Sequence, residues 1–272
     1  QEWISGNITW DTTLQHWDNG TSWVEGNGAI FNTGTGVVLI GSDGVQASSI
    51  QFNTTAVIAD YNPDIADNNL SLTGSGNLDA ASGEIGYIES TITGTNGITV
   101  GATGDGSILL SGANTYTGIT TVESGAWLGI NDSLALGSSL DTDRVDEDGA
   151  TLSLGTVVED GATLSLGTVT IAAESLRISG SGTSNSGGAL YVSSANEGEN
   201  GEQAEYNGSI SLATSARIGS VGPLTLGGTI ETSDATLTLN ATSSGSIDVN
   251  NSITGNTSGF DDNVLFDGGG II

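Results

Sequence analysis

The sequence predicts an all-β solenoid, a chain wound into short coils that stack on one another. Three observations predict it. Apolar residues come in short runs that alternate with polar ones at period two, as in Leu70-Ser71-Leu72-Thr73. Glycine, Asn and Asp corners separate the runs, with 43 Gly and only 2 Pro in 272 residues. No stretch carries a helically spaced apolar stripe with caps at its ends. A unit of strand, corner and strand cannot bury its apolar side chains alone, so it needs neighbours of the same kind.

Residues 1–34 read as an N-terminal cap or assembly segment. Four of the five tryptophans, Trp3, Trp10, Trp17 and Trp23, lie there with the single histidine, His16. The open end of a solenoid is a sheet edge and has to be blunted, so the first expectation is a lid over the first coil. An aromatic sugar-binding platform is the sharper alternative. His16 reads as part of the lid, because a lone His makes neither a metal site nor an acid–base pair.

Residues 35–259 read as the solenoid. Strands are expected at 37–40, 49–52, 56–59, 70–74, 85–92, 98–100 and 108–110, with a turn at Asp43-Gly44 and a loop at Tyr61-Asn62-Pro63-Asp64. The pivotal stretch follows. Leu109 and Leu110 end a strand, Gly112-Ala113-Asn114 makes a corner, and Thr120-Thr121-Val122 is a β-branched run that favours a pleated backbone. Ser124-Gly125 turns again, and residues 126–130 begin the next strand.

This stretch resembles the autotransporter-associated β-strand repeat of bacterial surface proteins. The matching core is Leu110-Ser111-Gly112-Ala113-Asn114-Thr115-Tyr116-Thr117-Gly118-Ile119-Thr120-Thr121-Val122, closed by Gly125-Ala126-Trp127-Leu128. The resemblance covers about twenty residues. It implies a right-handed parallel β-helix, an exported protein at the bacterial cell surface or outside the cell, and a place in passengers of type V secretion. No barrel-like strands with a terminal aromatic follow the solenoid, which departs from that pattern.

Further along, Glu147-Asp148-Gly149-Ala150-Thr151-Leu152-Ser153-Leu154-Gly155-Thr156-Val157 recurs unchanged as residues 159–169. A tandem copy of this kind inserts easily into a solenoid, where a new segment stacks on its parent. Strands are expected near 176–178, 189–192, 209–212, 224–226, 235–239 and 246–249, and an acidic loop over 194–207. Residues 260–272 read as a C-terminal cap or assembly tail carrying Phe260, Val264, Leu265, Phe266, Ile271 and Ile272. Coils of about 20–25 residues give about 10–13 turns, a rod roughly 50–60 Å long at the strand spacing of about 4.8 Å.

Charge narrows the partners. There are 32 acidic residues against 3 basic ones, a net charge of −29. Such a surface repels nucleic-acid phosphate and anionic membranes, so neither nucleic-acid binding nor direct membrane insertion is expected. Cysteine and methionine are both absent, so disulfides do not mark the compartment.

Chemistry finds little purchase. Lyases of β-helix shape generally need a Lys or Arg base, and the chain has no Lys and three scattered Arg. A Ser–His–Asp site would have only His16 to use. The acidic run Asp141, Asp143, Asp146, Glu147, Asp148 reads first as a solvated corner and second as a Ca2+ site, since calcium takes several oxygen ligands. The expected function is therefore non-enzymatic: an extracellular structural or adhesive surface protein. Its partners would be copies of itself, joined head to tail into a filament, or other cell-surface and matrix components. The alternative is a β-helix that binds or degrades polysaccharide, for which a cleft lined by carboxylates and aromatics would be the sign.

Overall fold

The computed structural model describes the chain except for residues 4–8, 33–35, 61–67, 102, 104, 139–154, 194–202, 243, 256–263 and 271–272. Strands dominate it, and the one helical element among the described residues is a single 3-10 turn, Asp18–Gly20. Every ladder between its strands is parallel. The chain is a parallel β-helix with three faces, visited in the same order on each coil.

Face I stacks Thr9–Trp10, Val37–Ile40, Ala56–Asp60, Ile85–Ile88, Ser107–Leu110, Trp127–Ile130, Thr163–Leu166 and Leu190–Val192. It continues through residues 216–220, Leu237–Ala241 and Val264–Gly268. Face II runs from Gly28–Phe31 through Ile98–Val100, Thr120–Val122 and Thr156–Val158 to Ile253–Gly255. Face III begins at 45–47, 70–72 and Ile92–Thr93, and ends with Thr170–Ile171, Ala204–Tyr206, Pro223–Leu226 and Ser246–Val249. The eleven strands of face I span about 50 Å at the usual parallel spacing.

Period two makes the core. On face I the inward column Val38, Ile58, Ile88, Leu110, Ile130 and Leu166 is fully buried. Each such side chain contributes about 1.5–3 kcal/mol by leaving water. In-register stacking sets like on like, which fills a narrow core without the layered helices that other parallel sheets require. Coil length follows from register: Ser107 pairs Ile85 on one side and Trp127 on the other.

Three local expectations are corrected. Residues 85–92 are not one strand: Ile85–Ile88 lies on face I and Ile92–Thr93 on face III, with the chain turning a corner between them. Residues 204–206, expected in a loop, form a face III strand whose Ala204 and Tyr206 point into the core. The rest of that expected loop, residues 194–202, and the loop expected at 61–64 lie outside the described residues. The tandem copies do not stack on each other in the parts described. Thr156 and Val157 of the first lie on face II between Thr120-Thr121 and Leu176-Arg177, whereas their counterparts Thr168 and Val169 follow the face I strand Thr163–Leu166; residues 147–154 of the first copy lie outside the described residues. A repeat of about a dozen residues is shorter than a coil of about 20, so equivalent positions of the two copies do not come into register on one face.

Candidate functional site

A rod can meet partners through its ends or along its sides, and the two ends differ. At the N-terminal end, described residues lie over Val37–Ile40, Gly28–Phe31 and residues 45–47. Thr9–Trp10 pairs with Val37–Ile40 on face I. On face II, Trp3 N donates to Ile30 O and Ile30 N to Gln1 O, each at 2.8 Å. On face III, Gly26 N and Trp23 Nε1 both donate to Gln46 O, at 2.9 and 3.1 Å, while Gln46 N donates to the Glu25 carboxylate.

The four tryptophans fill the space beneath this cover. Trp3, Trp10, Trp17 and Trp23 are 0–3% exposed. Trp17 and Trp23 have centroids 4.4 Å apart, and Trp10 meets Trp23 edge-on at 5.0 Å. Phe31 continues the column into the coil below, stacked on Phe52 at 5.5 Å. His16 sits beside Trp3, 5.8 Å between centroids. These indoles face their own chain, so any contact made by this end passes through outer residues such as Val24.

Toward the other end, Val264–Gly268 is the last described strand of face I. Val264–Gly268 pairs with Leu237–Ala241 on one side, and no described strand pairs with its other side. Phe266 stands in register with the fully buried Leu239, on the inward column, yet it is 67% exposed. Leu265 beside it is 52% exposed. Of the other expected assembly residues, Val264 packs against the core margin, and Phe260, Ile271 and Ile272 lie outside the described residues. So do Asp141, Asp143, Asp146, Glu147 and Asp148. Among the described residues no group of three or more His, Asp or Glu side chains is placed to hold a metal ion.

Between the ends, the Asn-Thr-Tyr stretch is interior. Asn114, 2% exposed, takes Ile92 N–H on its Oδ1 at 2.7 Å and gives its Nδ2 to Ala135 O at 2.6 Å. It thereby ties three successive coils at a corner where strand hydrogen bonds lapse. The Tyr116 hydroxyl meets Thr120 Oγ1 at 2.6 Å. Further along, Tyr206 donates to Glu174 O at 2.8 Å, and Thr156 donates to Glu174 Oε1 at 3.2 Å. Burial pushes both phenols well above their usual range, and the Glu174 charge adds to the rise.

Along the sides, the strands are paired above and below, and the outer face of the sheet is what partners meet. On face I an outward column runs Val37, Val57, Tyr87, Leu109, each in register with the next. Val37 is 47% exposed and the others are half-buried. Arg217, one of the three basic residues, faces outward higher on the same sheet, 3.8 Å from Asp267. Both side chains are well exposed, so that pair adds little stability.

Comparison with known proteins gives one informative match. The adhesin BmaC autotransporter of Brucella suis biovar 1 (strain 1330) is 34% identical over 145 residues, which is 49% of this chain and 4% of that protein. The chain therefore corresponds to a small part of that relative's length. No family model matches the chain, and no solved structure matches it. Among the described residues no helix is long and apolar enough to cross a membrane, which leaves membrane-crossing strands unaddressed.

Proposed function

We propose that the chain is a segment of an adhesive rod displayed on a bacterial surface, where it contacts cell-surface or matrix components and catalyses nothing. The observation that carries this reading is the similarity to an autotransporter adhesin across 49% of the chain, in a parallel solenoid that presents long, regular side faces. A rod of stacked coils holds those faces away from the cell, and each coil adds contact area without a new fold. The acidic surface suits neutral or basic partners. Beads coated with the purified chain should be retained on epithelial monolayers or matrix-coated glass above beads carrying an unrelated acidic protein. Equal retention of the two would contradict the reading.

A self-assembling filament is the finer variant, and the exposure of Leu265 and Phe266 favours it. Phe266 occupies a core position without a cover, and a further β-coil stacked there would bury it. A head-to-tail contact would seat Val264–Gly268 against the outer surface of the N-terminal segment. Sedimentation should then show species growing with concentration in the intact chain and a monomer in Leu265→Ser/Phe266→Ser. A monomer in both leaves the lone rod.

A further inference from the structure

The corner between faces II and I carries a cleft of about 320 Å³ that crosses four successive coils. Asp105, Ser124, Trp127, Gly161, Thr183 and Asn185 line it. The corner glycines Gly125 and Gly161 have φ of +86° and +80°, a backbone that side-chain-bearing residues resist. Lacking side chains, they leave the floor flat. Trp127 points outward from its strand while Leu128 and Ile130 point inward. Its ring is braced by Tyr191, edge-on at 5.9 Å and 88°.

The polar groups of the cleft are held in place. Asp105 Oδ1 accepts from Ser82 Oγ and from Gly83 N, the latter at 3.0 Å. These bonds keep its carboxyl below the usual range, and neither of them uses Oδ2. The loop at 182–188 is pinned to the coil below: Thr183 N donates to Thr163 Oγ1 at 3.0 Å, and Thr163 Oγ1 donates to Ser186 Oγ at 2.8 Å. Thr183 and Asn185 are thus presented from an anchored loop.

We infer that this cleft binds an extended, uncharged glycan, with a sugar ring stacked on Trp127 and its hydroxyls bonded to Asp105 and Asn185. The inference names a ligand class for the adhesive reading and rests on it. An indole offers a negative π face to the polarised C–H face of a pyranose. A carboxylate accepts from hydroxyls, and an amide beside it both gives and accepts, which matches a ring whose hydroxyls do both. An acidic polysaccharide would bring its charge against Asp105 on a chain of net charge −29. A peptide added as a further strand would need a free strand edge, and the strands under this cleft are paired on both sides.

Calorimetric titration of the full chain with chitohexaose and cellohexaose as probes, with a hyaluronan hexasaccharide and a basic peptide as controls, tests this. At least one neutral probe should bind saturably and change the tryptophan emission. Trp127 is the accessible fluorophore, since the other four are 0–3% exposed. Trp127→Ala should weaken binding about tenfold and Asp105→Asn should also weaken it. Both should keep the parent melting temperature, since neither side chain enters the core. Binding of neither neutral probe, binding unchanged by Trp127→Ala, or equal or tighter binding of hyaluronan or the peptide would overturn the inference. Bead retention by the parent chain separates the two claims. Retention without neutral-glycan binding sinks this inference and leaves the adhesive reading standing, whereas no retention sinks the reading it rests on.

Discussion

At the scale of single residues, the interior polar groups fix which coil sits on which. Asn114 satisfies a buried N–H of one coil and a buried carbonyl of another. Asn114→Ala would leave both unpaired, at a cost of about 2–4 kcal/mol, visible as a lower melting temperature. Asn114→Asp should not rescue it, because a carboxylate cannot donate to Ala135 O. The tyrosines make a second prediction, at alkaline pH. Tyr116 and Tyr206 have raised folded-state pKa values, so the stability that they contribute is complete below the unfolded phenol pKa of about 10. It is lost as pH rises further, because the unfolded chain gives up those protons first. Melting temperature should therefore fall more steeply above pH 10 in the parent than in Tyr116→Phe/Tyr206→Phe. Equal slopes would remove the tyrosines from the account. The Asn-Thr-Tyr stretch stood out in the sequence, but not its reason. Coil-to-coil side-chain bonds have no signature in one copy of a motif, whereas a period-two run has one in itself.

At the scale of elements, each strand depends on the strands above and below it. Gly86 faces inward on face I, and a Cβ built there would overlap the Phe52 ring. Gly86→Ala should cost about 1–3 kcal/mol by overpacking, unless paired with a smaller residue at 52. The N-terminal cover is a second such element. Trp17 touches Trp3, Trp10, Trp23 and Phe31, and Trp17→Ala should cost about 3–5 kcal/mol. Stability in a solenoid passes between neighbours, so hydrogen exchange should rise in the strands up to Phe52 and stay low beyond residue 100. Uniform loss of protection would mean that the coils unfold as one block. The clustering of Trp at one end was legible because four aromatics in so short a segment need a common burial site. The strand at Ala204–Tyr206 was not, because Glu205 among other acidic residues reads as loop until Ala204 and Tyr206 are seen to alternate inward. Trp127 was visible within the repeat but not as a site, since the cleft beside it is built from four coils that are distant in sequence.

At the scale of the whole molecule, the rod has tryptophans packed within its N-terminal segment, an exposed Phe266 toward the other end, and regular sides. The acidic run at 141–148 belongs to this scale because charge of one sign strains the compact state. If it holds calcium, melting temperature should rise with millimolar calcium beyond the rise given by magnesium at matched ionic strength. Equal rises would be screening alone. The central claim is that the chain adheres through its side, and a rod permits a direct test of that. Beads should carry the chain tethered by its N-terminus in one set and by its C-terminus in another, and retention on the same epithelial monolayer should be measured for both. Side-on contact predicts equal retention in the two orientations, with Trp127→Ala reducing both alike. Retention only when the C-terminal end is free, unaffected by Trp127→Ala, would contradict it and assign adhesion to that end.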